Sequence, residues 1–191
     1  MNRLWIAAAA AAALVGGCSS APDKKSEAVP VPKGFDVPAG VTLTKGGTKL
    51  TEDESASVIY QVGTKATSAI TVTVAAVRKG SIKKDFTFFS LDDATKASTP
   101  FYVDVTVTNE GPAGLGGAAL PIFAHDSSNT NLPANDIVGT FRPCRNSTLP
   151  KSFLPGATAN LCLVYLVPKG KALQSVDLQT GSARDAITWT P

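Results

Sequence analysis

Residues 100–109 place the strongest constraint on how this 191-residue chain folds. Phe101, Val103, Val105 and Val107 alternate with Tyr102, Asp104, Thr106 and Thr108. Successive side chains of an extended strand point to opposite faces, so this period of two predicts a half-buried strand. Asn109-Glu110-Gly111-Pro112 follows with strong turn chemistry. Further candidate strand runs recur at 57–62, 69–78, 119–124, 157–167, 173–179 and 186–190. The run 157–167 is apolar on both faces, with Leu161, Leu163 and Tyr165 on one and Cys162, Val164 and Leu166 on the other. Burial on both sides predicts a central position in a sheet. No window shows a 3.6-residue apolar period of useful length. Many short strands with Gly and Pro between them predict an all-β fold, an antiparallel β-sandwich.

The N-terminus reads as an address. One positive charge at Arg3 precedes an apolar run from Leu4 to Val15 that includes seven consecutive alanines. This is the layout of a secretory signal. As a helix the run spans roughly 18 Å, short of the roughly 30 Å needed to cross a bilayer core. Val15-Gly16-Gly17-Cys18 resembles the bacterial lipobox, with a branched apolar residue, two small residues and then cysteine. That resemblance implies removal of residues 1–17 and attachment of diacylglycerol to Cys18, with further acylation such as palmitate. Two or more acyl chains, at about 0.8 kcal/mol per buried CH₂, hold a protein stably on a membrane.

Residues 18–40 form the expected tether. Pro22, Pro30, Pro32 and Pro38 are interspersed with serines and charges, and no apolar period is present. Such a segment is semi-extended and flexible, at about 3.1 Å per residue where it adopts polyproline II. The β pattern starts after it, so the folded domain is expected over 41–191.

The polar inventory narrows the chemistry. The chain has one histidine, His125, and no methionine besides Met1, too few ligands for a His-cluster zinc or a Met/His copper site. A net charge of +3 from 18 basic and 15 acidic residues is not the footprint of a nucleic-acid binder. Three cysteines are present. If Cys18 carries lipid, Cys144 and Cys162 remain, and export to an oxidising compartment favours a disulfide between them. Such a bond pins the irregular stretch 142–153 to the strand at 157–167.

Few residues invite a catalytic reading. His125 beside Asp126 suggests a general base, but no Gly-x-Ser-x-Gly elbow accompanies it, so a solvated histidine is the simpler reading. Asp126-Ser127-Ser128-Asn129-Thr130-Asn131 has the oxygen-rich start of a calcium loop. Its sixth position is Asn131 rather than glycine and its twelfth is Ile137 rather than an acid, so a hairpin tip is preferred. Residues 111–117 are glycine-rich without a phosphate-loop signature and read as a flexible connection. Glu52-Asp53-Glu54 reads as a solvated turn. Phe86, Phe88 and Phe89 beside Lys83-Lys84 read as packing rather than a binding patch. No catalytic residue, metal ligand or cofactor is assigned.

Several segments together resemble the lipid-anchored immunoglobulin-like sandwich proteins of actinobacteria, a group related to telluride-resistance-associated and mycobacterial secreted-antigen domains. They are Gly47–Leu50, Ala56–Tyr60, Ile70–Val74, Gly80, Phe101–Gly111, Cys144, Gly156, Cys162 and Val164–Gly170. The resemblance implies an immunoglobulin-like fold and export, with no catalytic residues to transfer. The expected protein is a cell-membrane lipoprotein anchored through Cys18 on the extracytoplasmic face. It displays a non-catalytic domain to a protein or glycan partner of the envelope. The alternative is a small-ligand or ion-binding accessory lipoprotein of a transport or stress system.

Overall fold

The computed structural model describes residues 29–64 and 66–191. The expected signal and lipobox-like segments, with Cys18, lie outside these residues. Among the described residues no helix is long and apolar enough to cross a membrane.

Nine strands form two sheets in a β-sandwich-like arrangement. They are β1 (Lys49–Thr51), β2 (Ser55–Val62), β3 (Ala66–Lys79), β4 (Thr99–Gly111), β5 (Ile122–Asp126), β6 (Asn131–Pro133), β7 (Thr158–Val167), β8 (Leu173–Leu178) and β9 (Ile187–Thr190). One sheet has the order β2-β3-β4-β7 and the other β1-β9-β8-β5-β6. Every pairing is antiparallel except β1 with β9. The alternation at 100–109 is realised in β4, where Val103, Val105 and Val107 face the main core.

The core lies between the sheets. Ile70, Val72, Val74, Leu161 and Leu163 from one meet Ile122, Val176, Leu178, Ile187 and Trp189 from the other. The polar tips of its large rings are satisfied. The buried Tyr165 hydroxyl donates to the Ile122 carbonyl at 2.8 Å, tying the sheets together, and Trp189 Nε1 donates to the Glu54 carbonyl at 2.8 Å. Desolvation holds the Tyr165 phenol far above its usual range, so it stays a donor.

The position of β7 departs from expectation. It is an edge strand, paired only with β4. Its two apolar faces have another cause: the outer side of the four-stranded sheet is covered as well along part of β4 and β7, while its remaining outer face carries exposed Ser, Thr and Asn side chains. Cys162 and Val164 of β7 and Tyr102 of β4 pack there against Phe86, Phe141 and Cys144. The cover comes from residues 80–98, with two short helices α1 (Ile82–Asp85) and α2 (Asp93–Ala97), and from residues 137–144, whereas Leu149 and Phe153 further on pack into the main core. Phe86 and Phe141 rings lie 4.7 Å apart, with Tyr102 5.7 Å from Phe141. Asn135 N–H donates to the Val164 carbonyl and Cys162 N–H to the Asn146 carbonyl, which partly shields the open edge.

The expected disulfide joins Cys144 to Cys162 and fastens the cover to β7. Arg78 of β3 reinforces it, making two bonds to the Asp104 carboxylate (2.6 and 3.0 Å) and one to the Pro143 carbonyl. The Arg78 guanidinium also lies over the Tyr102 ring at 5.5 Å.

A Cys144→Ser/Cys162→Ser variant tests this division of labour. Freeing a link of 18 residues' separation costs about 3 kcal/mol in the chain-entropy picture, a Tm loss of about 6–12 °C. Near-UV circular dichroism from Phe141 and Tyr102 should weaken while the far-UV β signal persists.

Candidate functional site

A cleft of about 480 Å³ opens beside the outer edge of β2. Val58, Ile59 and Gln61 border it from β2, Pro30 and Pro32 from the incoming chain, and Ser182 and Asp185 from the segment before β9. The incoming chain, residues 29–48, has neither strand nor helix but is shaped by local turns. Phe35 N–H donates to the Pro32 carbonyl, and Val41 N–H to the Pro38 carbonyl. It then meets β2, where Thr44 N–H donates to the Ser57 carbonyl at 2.7 Å and Thr44 Oγ1 accepts from Ser57 N–H at 3.0 Å.

Close backbone approach fixes the opposite wall. A Cβ on Gly46 would lie 2.9 Å from both the Cβ and the carbonyl oxygen of Asp185, so only glycine fits without displacement. Gly47 N–H points at the Asp185 and Ala186 carbonyls. Ser182 caps the 3-10 turn Ala183–Asp185 by accepting from Arg184 N–H. The cleft falls within the volume range of ligand sites, and its lining mixes apolar and polar groups.

The residues singled out in the sequence are scattered. His125 lies on β5, half-buried, with Nδ1 3.6 Å from an Asp177 oxygen on the neighbouring β8. Asp177 is sunk between its register partners Phe123 and Thr188 and accepts from the Ser175 hydroxyl at 2.8 Å. The serine therefore points at the carboxylate and not at the imidazole, and no nucleophile–base pair forms there. Asp126 turns away from His125. Its Oδ1 accepts from Ser128 N–H, the Ser128 hydroxyl and Thr130 N–H, closing the β5–β6 hairpin with Asn129 at φ 62°. That oxygen, first in the calcium-loop resemblance, is thus engaged as an Asx-type turn acceptor.

The acidic turn is engaged as well. Glu52 accepts from Val77 N–H at 2.9 Å, and Glu54 accepts from Thr51 N–H and its hydroxyl. The Thr51 bonds hold the Glu54 carboxyl below its usual range. The glycine-rich stretch 111–117 is packed rather than free: Leu115 is buried, its N–H donates to Phe153, and Gly117 N–H donates to Leu149 and Pro150. The aromatic group divides. Phe86 and Phe89 pack in the outer cover, as expected, while Phe88 is 97 % exposed. Among the described residues no three His, Cys, Asp or Glu side chains converge as a metal site would need.

No known family's sequence profile, no curated protein and no solved structure matches this chain.

Asp126 gives a pH test. Its bonds, above all from the Ser128 hydroxyl, hold its carboxyl below the usual range. A carboxylate with a depressed folded-state pKa contributes stability that is present above the unfolded value, near pH 4, and is lost as pH falls through the folded value. Asp126→Asn should therefore lower Tm at pH 7 and flatten the loss of Tm between about pH 4 and pH 2, as read by thermal unfolding across pH.

Proposed function

We propose that the protein is a lipid-anchored lipoprotein of the cell envelope whose domain binds an envelope partner without catalysis. The observation that carries this reading is the Cys144–Cys162 disulfide. Disulfides persist in extracytoplasmic compartments and are rare in reducing ones, which agrees with the signal-like Met1–Gly17 and lipobox-like Val15–Cys18 segments. Two facing sheets support an immunoglobulin-like architecture. The order β2-β3-β4-β7 differs from the ABED and CFG sheets of a constant-type immunoglobulin domain, so the proposed kinship is one of architecture.

The binding role is supported by where the side chains go. The carboxylates at 52, 54 and 126 and the serine at 175 serve turns and strand faces, whereas the cleft beside β2 is open. A sandwich on a proline-rich tether can present such a surface at a distance from the lipid.

Two measurements test the reading. Intact-mass analysis of the protein from its native membrane should show an acylated N-terminal Cys18, and Cys18→Ser should release it from the membrane fraction. In-cell cross-linking should recover one specific envelope partner. An unmodified Cys18 or cleavage elsewhere overturns the anchor. Turnover of a substrate that is lost in His125→Ala overturns the non-catalytic role.

A further inference from the structure

We propose that the free edge of β2 inside the cleft is a strand-addition site for an extended, proline-free peptide segment of the partner protein. The inference rests on the binding-module reading and names the surface and the chemistry of the partner. In an antiparallel strand, alternate residues direct their N–H and C=O groups to opposite neighbours. Ser57 uses both groups on the outer edge, toward Thr44, so Ile59 and Gln61, two and four residues on, also face outward. Beyond its bonds to Thr44, β2 pairs only with β3. No described residue accepts from or donates to the outward backbone groups of Ile59 and Gln61. Four backbone groups, about 6.8 Å apart by residue pair, match the two-residue repeat of an added strand.

The surroundings select the occupant. The edge bears on a cleft that is also bounded by Pro30 and Pro32 on one side and Ser182 and Asp185 on the other. Walls on both sides of the edge favour a single extended chain over the flush edge of a second folded copy. Pro30 and Pro32 have no N–H to donate, so the incoming chain borders the edge without capping it at those positions. Thr44 shows that the same edge accepts an extended segment one step further along. Alternate side chains of an added strand would face Val58 and Ile187, which favours an apolar residue at every second position.

The test uses the full-length chain and a displayed library of random eight-residue peptides, followed by amide hydrogen exchange. Enriched sequences should be proline-free at the pairing positions and apolar at alternate ones. The best peptide should slow exchange at the Ile59 and Gln61 amides at least tenfold, and N-methylation of its pairing amides should weaken binding at least tenfold. Ile59→Pro, which removes an outward N–H at a position where an edge strand tolerates proline, should do the same with Tm unchanged within a few degrees. The proposal is overturned if no sequence is enriched, or if binding leaves both amides exchanging as before. Protection of those amides without peptide would assign the edge to residues 19–28 of the same chain and also overturn it. None of these results depends on Cys18 acylation or on recovery of a cross-linked partner, so the two readings fail separately.

Discussion

A strand that is apolar on both faces must be covered on both, and this constraint at β7 and the adjoining part of β4 organises the molecule. The inner face of β2-β3-β4-β7 meets the second sheet across the main core, and the outer face of β4 and β7 carries Tyr102, Cys162 and Val164. Burying a large side chain is worth about 1.5–3 kcal/mol, so these positions demand a lid. Residues 80–98 and 137–144 supply it with aromatic rings, and the disulfide and Arg78 hold it in place. The second short helix in 80–98 starts at Asp92, whose side chain caps it by accepting from Thr95 N–H.

The polar groups that are buried serve the same closure. Asn109 is fully buried and fully used: Oδ1 accepts from Ser68 and Gly111, while Nδ2 donates to the Ala113 and Phe153 carbonyls. It fixes the loops that leave β4 and enter β7. Leaving such a group half-satisfied costs about 1–3 kcal/mol, which explains why the loop at 111–117 is ordered despite its glycines. The β2 edge is the contrasting case, where no described residue pairs with the outward backbone groups of Ile59 and Gln61.

Local pattern carried much of the architecture. Six of the long or alternating runs became strands near their expected limits, because period-two burial is written directly into residues such as Val103, Val105 and Val107. The three-residue strands β1 and β6 have too few positions to show a period. β7 misled on position because apolarity reports burial, not the identity of what buries it; its cover lies in segments with no periodicity of their own. The pairing of Cys144 with Cys162 was legible from counting, since export favours oxidation. The site was less so. Asp177 meets His125 only through the β5–β8 register, and the cleft edge is made of backbone atoms, which every residue possesses. Asn109 was read as the start of a turn when it is a buried anchor, because the same side chain suits both.

The pairing of β1 with β9 has a consequence for how the chain reaches its folded state. Leu50 lies beside Trp189, and Trp189 is a fully buried core residue whose indole reaches back to Glu54. These contacts join residues far apart in sequence, and folding slows as such long separations come to dominate. The core cannot close until residues 187–190 are in place. A chain that emerges N-terminus first therefore cannot complete this core until its last strand has emerged. The last strand thus acts as a latch on the timing of folding.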